Sequence, residues 1–202
     1  GPVIDGKTPY PQRDLSGNQV QNGFKRYQGG LAFGGAIIKD KTFYYVDIEH
    51  TTDLKDNVLS SPSLGVNETV QGENKFDYFS AKIDQHWSSK FISSLRTNLG
   101  LVNIGRQAGG LTGGVSFPSA ANSQDRNSLL IANKNMILGE HFTFESNIQY
   151  SSFRWNYGKA VNPASPDVTV LDPSSQTIAF LGNPGYVFDS HENTFQLQEK
   201  LN

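Results

Sequence analysis

The chain has 202 residues and a formal net charge of −2, so it lacks the basic surplus that nucleic-acid binding requires. It contains no Cys, which excludes disulfide bonds, thiolate metal sites and Cys nucleophiles. Hydrophobic residues make up only 36% of the chain while aromatic residues reach 11%. No run of about 18 apolar residues predicts a helical membrane span. This composition favours an all-β chain whose sheet is apolar on one face and hydrated on the other.

The first two predicted strands form a hairpin. A Gly-rich strand over Phe24–Ile37 leads into a tight turn at Lys39-Asp40, and a second strand follows over Thr42–Thr52. The second strand alternates strictly, which places apolar side chains on one face and carboxylates on the other. Its apolar face carries Tyr44, Val46 and Ile48, and its acidic face carries Asp47 and Glu49.

The third and fourth strands repeat this alternation. The third strand covers Lys75–Trp87, and the fourth returns from Phe91 after a turn at Ser88-Ser89. Apolar residues line one face of the pair. The opposite face carries Lys82, Asp84, His86, Arg96 and Asn98.

The last three strands cover Asn127–Leu138, Phe142–Tyr157 and Glu192–Asn202. The sixth strand sets Glu145 and Gln149 on its polar face over its first half. Its far end brings aromatic residues onto that same face, as expected where a strand leaves a membrane into an aromatic belt. The predicted interface aromatics are Trp87, Phe153, Trp155 and Tyr157.

The connections between these seven strands alternate between short and long. The short ones are Ile38–Lys41, Ser88–Ser89 and Gly139–Glu140, and the long ones are Asp53–Asn74, Ile104–Arg126 and Gly158–Ser190. Tight turns on one side and long loops on the other are typical of a transmembrane β-barrel with periplasmic turns and extracellular loops. Residues 1–23 are then an extracellular loop or a terminal segment, and residues 24–202 form the barrel strands.

Seven is an odd number of strands, whereas single-chain bacterial barrels have an even number. The sequence therefore predicts an antiparallel up-and-down sector of a larger barrel. Such a sector has two unpaired edges and a lipid-facing surface, so we expect it to need the rest of its barrel.

Two hairpins resemble the Oar-like branch of TonB-dependent outer-membrane receptors. The run YQGGLAFGGAIIKDKTFYYVDIEHT, Tyr27–Thr51, resembles an early barrel hairpin of that family, with Ala36 where the family has Pro. The next run, FSAKIDQHWSSKFISSLRTN, resembles the following hairpin, with matching positions at Lys82, Asp84 and Arg96. The resemblance covers about residues 24–103.

The resemblance implies a place in the bacterial outer membrane and uptake of a nutrient energised through TonB. It also implies an N-terminal plug domain inside a 22-stranded barrel, and neither the plug nor a TonB-contacting segment is visible in this chain. The implied partners are outer-membrane lipid, the plug domain and TonB. The apolar and Pro-rich loop Gly158–Ser190 is expected either to pack down over its own barrel and the neighbouring loops or to fold against a partner such as a lipoprotein lid.

No catalytic or metal-binding pattern emerges, so the sequence predicts a protein that is not an enzyme and has no cofactor. Polar residues of the strands are instead expected to line the barrel lumen and to contact plug or solute. This predicted lumen wall consists of Lys82, Asp84, His86, Arg96, Asn98, Glu145 and Gln149.

Two other functions remain open at this point. One is a structural or adhesive outer-membrane barrel. The other is a soluble β-sandwich carbohydrate-binding module, in which Trp87, Trp155 and Tyr157 would form a stacking platform for sugars.

Overall fold

The computed structural model describes residues 24–105, 117–183 and 187–202. The predicted extracellular segment 1–23 lies outside these residues. The fold is all-β, and its nine strands are β1 (Phe24–Ile38), β2 (Thr42–Ser61), β3 (Val66–His86), β4 (Phe91–Gly105), β5 (Asn122–Leu138), β6 (Thr143–Ala160), β7 (Asp167–Leu171), β8 (Thr177–Gly182) and β9 (Phe188–Leu201).

Seven of these strands form one antiparallel up-and-down sheet in the order β1-β2-β3-β4-β5-β6-β9. Each strand pairs with its neighbours in the chain, apart from the inserted hairpin β7–β8, which forms a separate two-stranded sheet. The seven strands predicted from the sequence are thus confirmed together with their order. Strands β1 and β9 are the two edges of this sheet.

Short connections join the strands at one end of the sheet, which we call the turn end. They comprise residues 39–41, 87–90 and 139–142. The first turn is closed by the Lys41 amide, which donates to the Ile38 carbonyl at 3.0 Å, and it places Asp40 at a φ of 60°. Asp tolerates this left-handed conformation better than most residues do, which explains a three-residue turn without Gly.

The opposite end of the sheet, which we call the loop end, differs from the prediction. Residues 53–74 do not form a long loop, because β2 and β3 continue through them in unbroken register from Thr42↔Gln85 to Ser61↔Val66. Only residues 62–65 join the two strands, and Gly65 takes a φ of 67° that suits a residue without a side chain. Backbone pairing between β2 and β3 therefore extends the hairpin beyond the residues that alternate between apolar and polar side chains.

The remaining two connections at the loop end hold structure of their own. The third one contains the hairpin β7–β8, whose tight turn is closed by the Asp172 carboxylate accepting from the Ser174 and Gln176 amides. The second one, whose residues 106–116 lie outside the description, ends in a short turn at Pro118–Ala120. This turn contacts β8, where the Phe117 amide donates to the Phe180 carbonyl at 3.0 Å.

Side chains of the seven-stranded sheet alternate between two faces, and the strand register fixes which residues share a face. We call the face that carries Ile48, Phe79 and Ile131 the apolar face. We call the face that carries Asp47, Ser80 and Leu130 the polar face.

Few hydrophobic side chains of the described residues are buried, and they do not form a core against either face of the sheet. The buried hydrophobic residues in the described part of the chain are Leu59, Ala120, Ala121 and Ala179. All four lie on the loop-end extensions and connections, rather than in the middle of the sheet. No helix that is long and apolar enough to cross a membrane occurs among the residues the structure describes. Within residues 24–105, 117–183 and 187–202, the sheet is therefore a single layer that no second layer covers.

Candidate functional site

All seven residues predicted to line the lumen lie on the polar face. Strand register places Lys82 beside Arg96 and Asp84 beside Ser94, and it sets Gln149 beside Gln196. His86, Asn98 and Glu145 lie on the same face in neighbouring rows. The structure thus brings the predicted set together on one continuous surface.

Hydrogen bonds and ion pairs connect these residues to their neighbours. Lys82 Nζ lies 2.8 Å from Asp84 Oδ2, and Lys134 Nζ lies 2.8 Å from Glu145 Oε2. The Asn98 side-chain oxygen accepts from Ser80 Oγ at 2.9 Å and from Arg96 Nε at 3.2 Å. Several charges on this face therefore have partners supplied by the sheet itself.

The network has the geometry of a hydrated polar wall. A metal site or a catalytic group would need side chains that converge on one point. No group of three His, Cys, Asp or Glu residues that could hold a metal ion is present in the described ranges. The Phe43 ring packs edge-on against the His86 ring at 5.6 Å, which gives His86 an aromatic neighbour.

A depression of about 350 Å³ lies on the polar face, between its charged half and the loop end. One row of paired residues crosses it from Tyr78 through Gly100, Ser128 and Phe153 to Glu192. Further polar groups lining the depression are Asn98, Ser151 and Thr194. Gly100 leaves the floor of the depression open, because a Cβ at this position would lie only 2.7 Å from Ser128 Oγ. Asn98 and Phe153 were predicted from the sequence, but the depression was not. Its floor forms only when four strands pair in register.

An aromatic cluster follows the depression toward the loop end on the same face. Trp155 packs edge-on against Phe188 with 4.8 Å between ring centroids, and Tyr157 stacks on Phe188 at 5.6 Å. Arg126 lies over the Trp155 ring at 4.5 Å, and the Trp155 Nε1–H group donates to Gln124 Oε1 at 3.2 Å. Arg126 and Phe188 were not predicted from the sequence. They lie on β5 and β9, the two strands that flank Trp155 on β6.

The apolar face carries a continuous band of uncharged residues. Three successive rows cross all seven strands without one charged side chain. The rows are Gly35-Tyr44-Ile83-Leu95-Asn133-Ile148-Leu197, Phe33-Val46-Ala81-Thr97-Ile131-Tyr150-Phe195 and Leu31-Ile48-Phe79-Leu99-Leu129-Ser152-Asn193. Large side chains in this band are open to the surroundings, with Phe195 69% and Leu31 57% exposed.

Polar rows bound this band at both ends. The row toward the turn end is Ile38, Thr42, Gln85, Ser93, Asn135, Ser146 and Glu199, and an apolar row of Phe91, Ile137, Phe144 and Leu201 follows it at the turns. The row toward the loop end is His50, Asp77, Leu101, Asn127, Arg154 and His191. Eight residue steps along β2 separate the two rows, which corresponds to about 27 Å of strand. A strand tilt of ~40° reduces this to roughly 21 Å of height, near the ~25 Å apolar band of outer-membrane barrels.

The four predicted interface aromatics divide between the two faces. Trp87 extends the apolar-face side of β3, stacks on Phe91 at 6.4 Å and donates from Nε1 to Ser93 Oγ at 2.7 Å. Phe153, Trp155 and Tyr157 lie on the polar face near the loop end. Trp87 therefore lies at the other end and on the other face, so it does not form one platform with Trp155 and Tyr157.

Two bidentate ion pairs fasten the edge strands at the loop end. Arg26 on β1 donates to both oxygens of the buried Asp53 carboxylate at 2.7 and 2.8 Å, and this hydrogen-bonded guanidinium lowers the pKa of Asp53. Arg154 donates to both oxygens of Asp189 on β9 at 2.9 and 2.6 Å. That second pair lowers the pKa of Asp189 to about 2. Both pairs lie beyond the apolar band.

The chain matches no protein-family model, and no curated protein and no solved structure is significantly similar to it. The geometry of the two faces is therefore the basis for a proposed function.

Proposed function

We propose that this chain is a sector of the wall of a transmembrane β-barrel in the bacterial outer membrane, belonging to a TonB-dependent receptor that takes up a nutrient. The observation that carries the proposal is the difference between the two faces of one sheet. The apolar face exposes large hydrophobic side chains in three uncharged rows, while the polar face carries charged side chains, among them the ion pairs Lys82–Asp84 and Lys134–Glu145. Lipid on one side and water on the other are the surroundings that suit such a wall.

The dimensions of the apolar band support this proposal. Contiguous exposed apolar surface of this extent marks a protein or membrane contact, since soluble monomers rarely show it. The polar rows that bound the band match the thickness of an outer-membrane hydrocarbon layer when the strands tilt. Trp87 lies just past the turn-end row, where an amphipathic indole ring favours the membrane interface, and it stacks on Phe91.

The proposal also assigns an orientation. Tight turns of barrels face the periplasm, so the turn end is periplasmic and the loop end is extracellular. The polar face then faces the lumen, where Lys82, Arg96 and Gln149 contact a plug domain or the transported solute. The hairpin β7–β8 and the turn at Pro118–Ala120 lie outside, where a lipoprotein lid would dock.

The open edges support a larger barrel. Strands β1 and β9 are both edges, and every residue of β1 is exposed. A membrane wall cannot leave edge amides and carbonyls without hydrogen-bond partners in hydrocarbon. Further strands of the same receptor would pair with both edges and close the barrel.

The carbohydrate-binding sandwich receives less support. It requires a second sheet over the apolar face, and the described residues contain only the small hairpin β7–β8 besides the seven-stranded sheet. Its stacking platform also loses Trp87, which lies on the opposite face from Trp155. A structural or adhesive barrel shares the same wall, and it differs from a transporter in lacking a plug and a TonB-contacting segment.

Flotation with lipid vesicles tests the membrane assignment. The complete barrel that contains this chain, purified in detergent and reconstituted into vesicles, is expected to float with the lipid and to resist extraction by carbonate at high pH. A chain that stays monomeric in plain buffer and unfolds cooperatively there contradicts the proposal. A plug domain encoded upstream in the same reading frame would separate transport from the adhesive alternative.

A further inference from the structure

The depression on the polar face has the shape and chemistry of a small-molecule site. Its volume of about 350 Å³ falls within the roughly 300–1,000 Å³ that such sites occupy. Its two aromatic walls, Tyr78 and Phe153, are 38% and 39% exposed, so their rings are accessible to a ligand. We propose that this depression binds an uncharged oligosaccharide.

The spacing of the aromatic rings suits a chain of sugar units. Tyr78 on β3 and Phe153 on β6 belong to one row and are separated by β4 and β5. Three strand spacings place their backbones about 14 Å apart. The small residues Gly100 and Ser128 form the floor between them, so a ligand lying across the strands can stack on a ring at either end.

The polar groups around the floor suit hydroxylated ligands. Ser128 and Ser151 offer hydroxyl groups, and the Asn98 amide nitrogen offers a donor. The Asn98 oxygen already accepts from Ser80 and Arg96, and the Thr194 hydroxyl already donates to Glu192 at 3.4 Å. Hydroxyl side chains both donate and accept hydrogen bonds, as sugar hydroxyls do. Sugars also present C–H faces, which pack against aromatic rings.

The charges around the depression favour neither anions nor cations. Glu192 is the single charged residue among the described residues that line it, and Glu49 follows in the same row on β2. A cation lies close by as well, since Arg96 donates from Nε to the lining residue Asn98 at 3.2 Å. A carboxylate accepts hydrogen bonds from sugar hydroxyls without requiring a charge on the ligand.

This inference deepens the proposed function, because it takes the polar face as the lumen wall of a receptor and names the class of solute. The depression lies between the charged half of that wall and the loop end, on the path from the cell exterior. Its chemistry, however, can be tested separately from membrane insertion.

The test measures binding of an array of short uncharged oligosaccharides to the complete barrel that contains this chain, folded in detergent. Isothermal titration calorimetry reports the binding. Saturable binding is expected for at least one oligosaccharide. Tyr78→Ala and Phe153→Ala are each expected to weaken binding about three- to tenfold, since each removes one stacking contact.

A matched pair of glycine substitutions provides the control. Gly100→Val fills the floor of the depression and should abolish binding, while the Ser128 hydroxyl can rotate away from the new side chain. Gly29→Val makes the same change on the apolar-face side of β1, where a Cβ meets nothing within 4 Å, and should leave binding intact. Vesicle flotation of both variants checks that the fold is retained.

Each outcome decides one claim. If the chain inserts into vesicles but binds no uncharged oligosaccharide of the array, the ligand assignment is overturned and the barrel proposal stands. Binding that survives Gly100→Val, or binding of organic cations alone, also overturns the assignment. A water-soluble chain that binds the sugar contradicts the barrel proposal and supports the site.

Discussion

The two faces of the seven-stranded sheet are formed by the same strands, but their side chains have different neighbours. Ile131 and Leu130 are neighbours on β5, yet Ile131 lies in the uncharged band and Leu130 lies beside Asn98 and Ser151. Polar-face side chains find hydrogen-bond partners inside the chain. Apolar-face side chains remain 40–70% exposed at positions such as Ile148 and Leu201. Many polar-face side chains thus bond to each other, whereas the large side chains of the apolar face have no covering layer among the described residues.

The largest expected effect comes from placing a charge in the apolar band. Ile131→Arg puts a guanidinium in the middle of its three rows and should destabilise the membrane-folded chain by about 2–4 kcal/mol. Urea unfolding in lipid vesicles measures this loss.

Leu130→Arg is the matched control, since it adds the same side chain one residue away on the polar face. Its effect is expected to stay within about 0.5 kcal/mol, as for a hydrated surface position. Equal losses for the two variants would mean that both faces meet the same solvent.

A smaller effect is expected from two adjacent glycines of β1. A Cβ at Gly34, on the polar face, would lie 2.7 Å from the Tyr44 carbonyl oxygen, so the backbone must move. Gly34→Ala should therefore destabilise the chain by about 1–3 kcal/mol.

Gly35, on the apolar face, has no neighbour nearer than the Tyr44 ring at 3.8 Å. Gly35→Ala should therefore be neutral or stabilise the chain by up to about 1 kcal/mol, because alanine loses less conformational freedom on folding. The same vesicle unfolding experiment compares the two variants. A Gly35→Ala variant that is the less stable of the two would contradict the register of β1 on β2.

The smallest effect concerns pH at the loop end of β6 and β9. The Arg154 guanidinium lowers the pKa of Asp189 from 3.8 to about 2, so the carboxylate form is favoured in the folded state. The stability that this pair contributes is present above about pH 4 and is lost as the pH falls toward 2.

Hydrogen exchange of the Asp189 and His191 amides between pH 4 and 2 follows this change, after correction for the intrinsic pH dependence of exchange. Asp189→Asn should remove the pH dependence from these amides. Amides halfway along β9, such as that of Phe195, should not respond in either protein. An unchanged response in Asp189→Asn would assign the effect to another group.

The sequence predicted the sheet well because its alternation is strong where one face is apolar and the other polar. Tyr44–Glu49 and Phe79–Asp84 show this pattern, and the structure confirms their strands and faces. The prediction failed between Asp53 and Asn74, where polar residues occupy both sides and period-two hydrophobicity disappears. There the strands are held by backbone pairing from Leu54↔Glu73 outward, which leaves no trace in side-chain polarity.

The candidate site was predictable only in part for a related reason. Parity along each strand was enough to assign Lys82, Arg96 and Gln149 to one face. The depression depends on which residues lie opposite each other across β3, β4, β5 and β6. Register of this kind is fixed by turn lengths and ladder pairing, so Gly100 and Ser128 showed no signal in the sequence.

Cysteine scanning of β5 tests the central claim most directly, and no native Cys of this chain competes for the label. Spin labels attached in turn at positions 128–133, in the vesicle-inserted barrel that contains this chain, would report access to oxygen dissolved in lipid and to a water-soluble nickel reagent. We predict strict alternation, with odd positions such as Leu129 and Ile131 open to oxygen and even positions such as Ser128 and Leu130 open to nickel. Uniform access to the water-soluble reagent at all six positions would contradict a membrane wall.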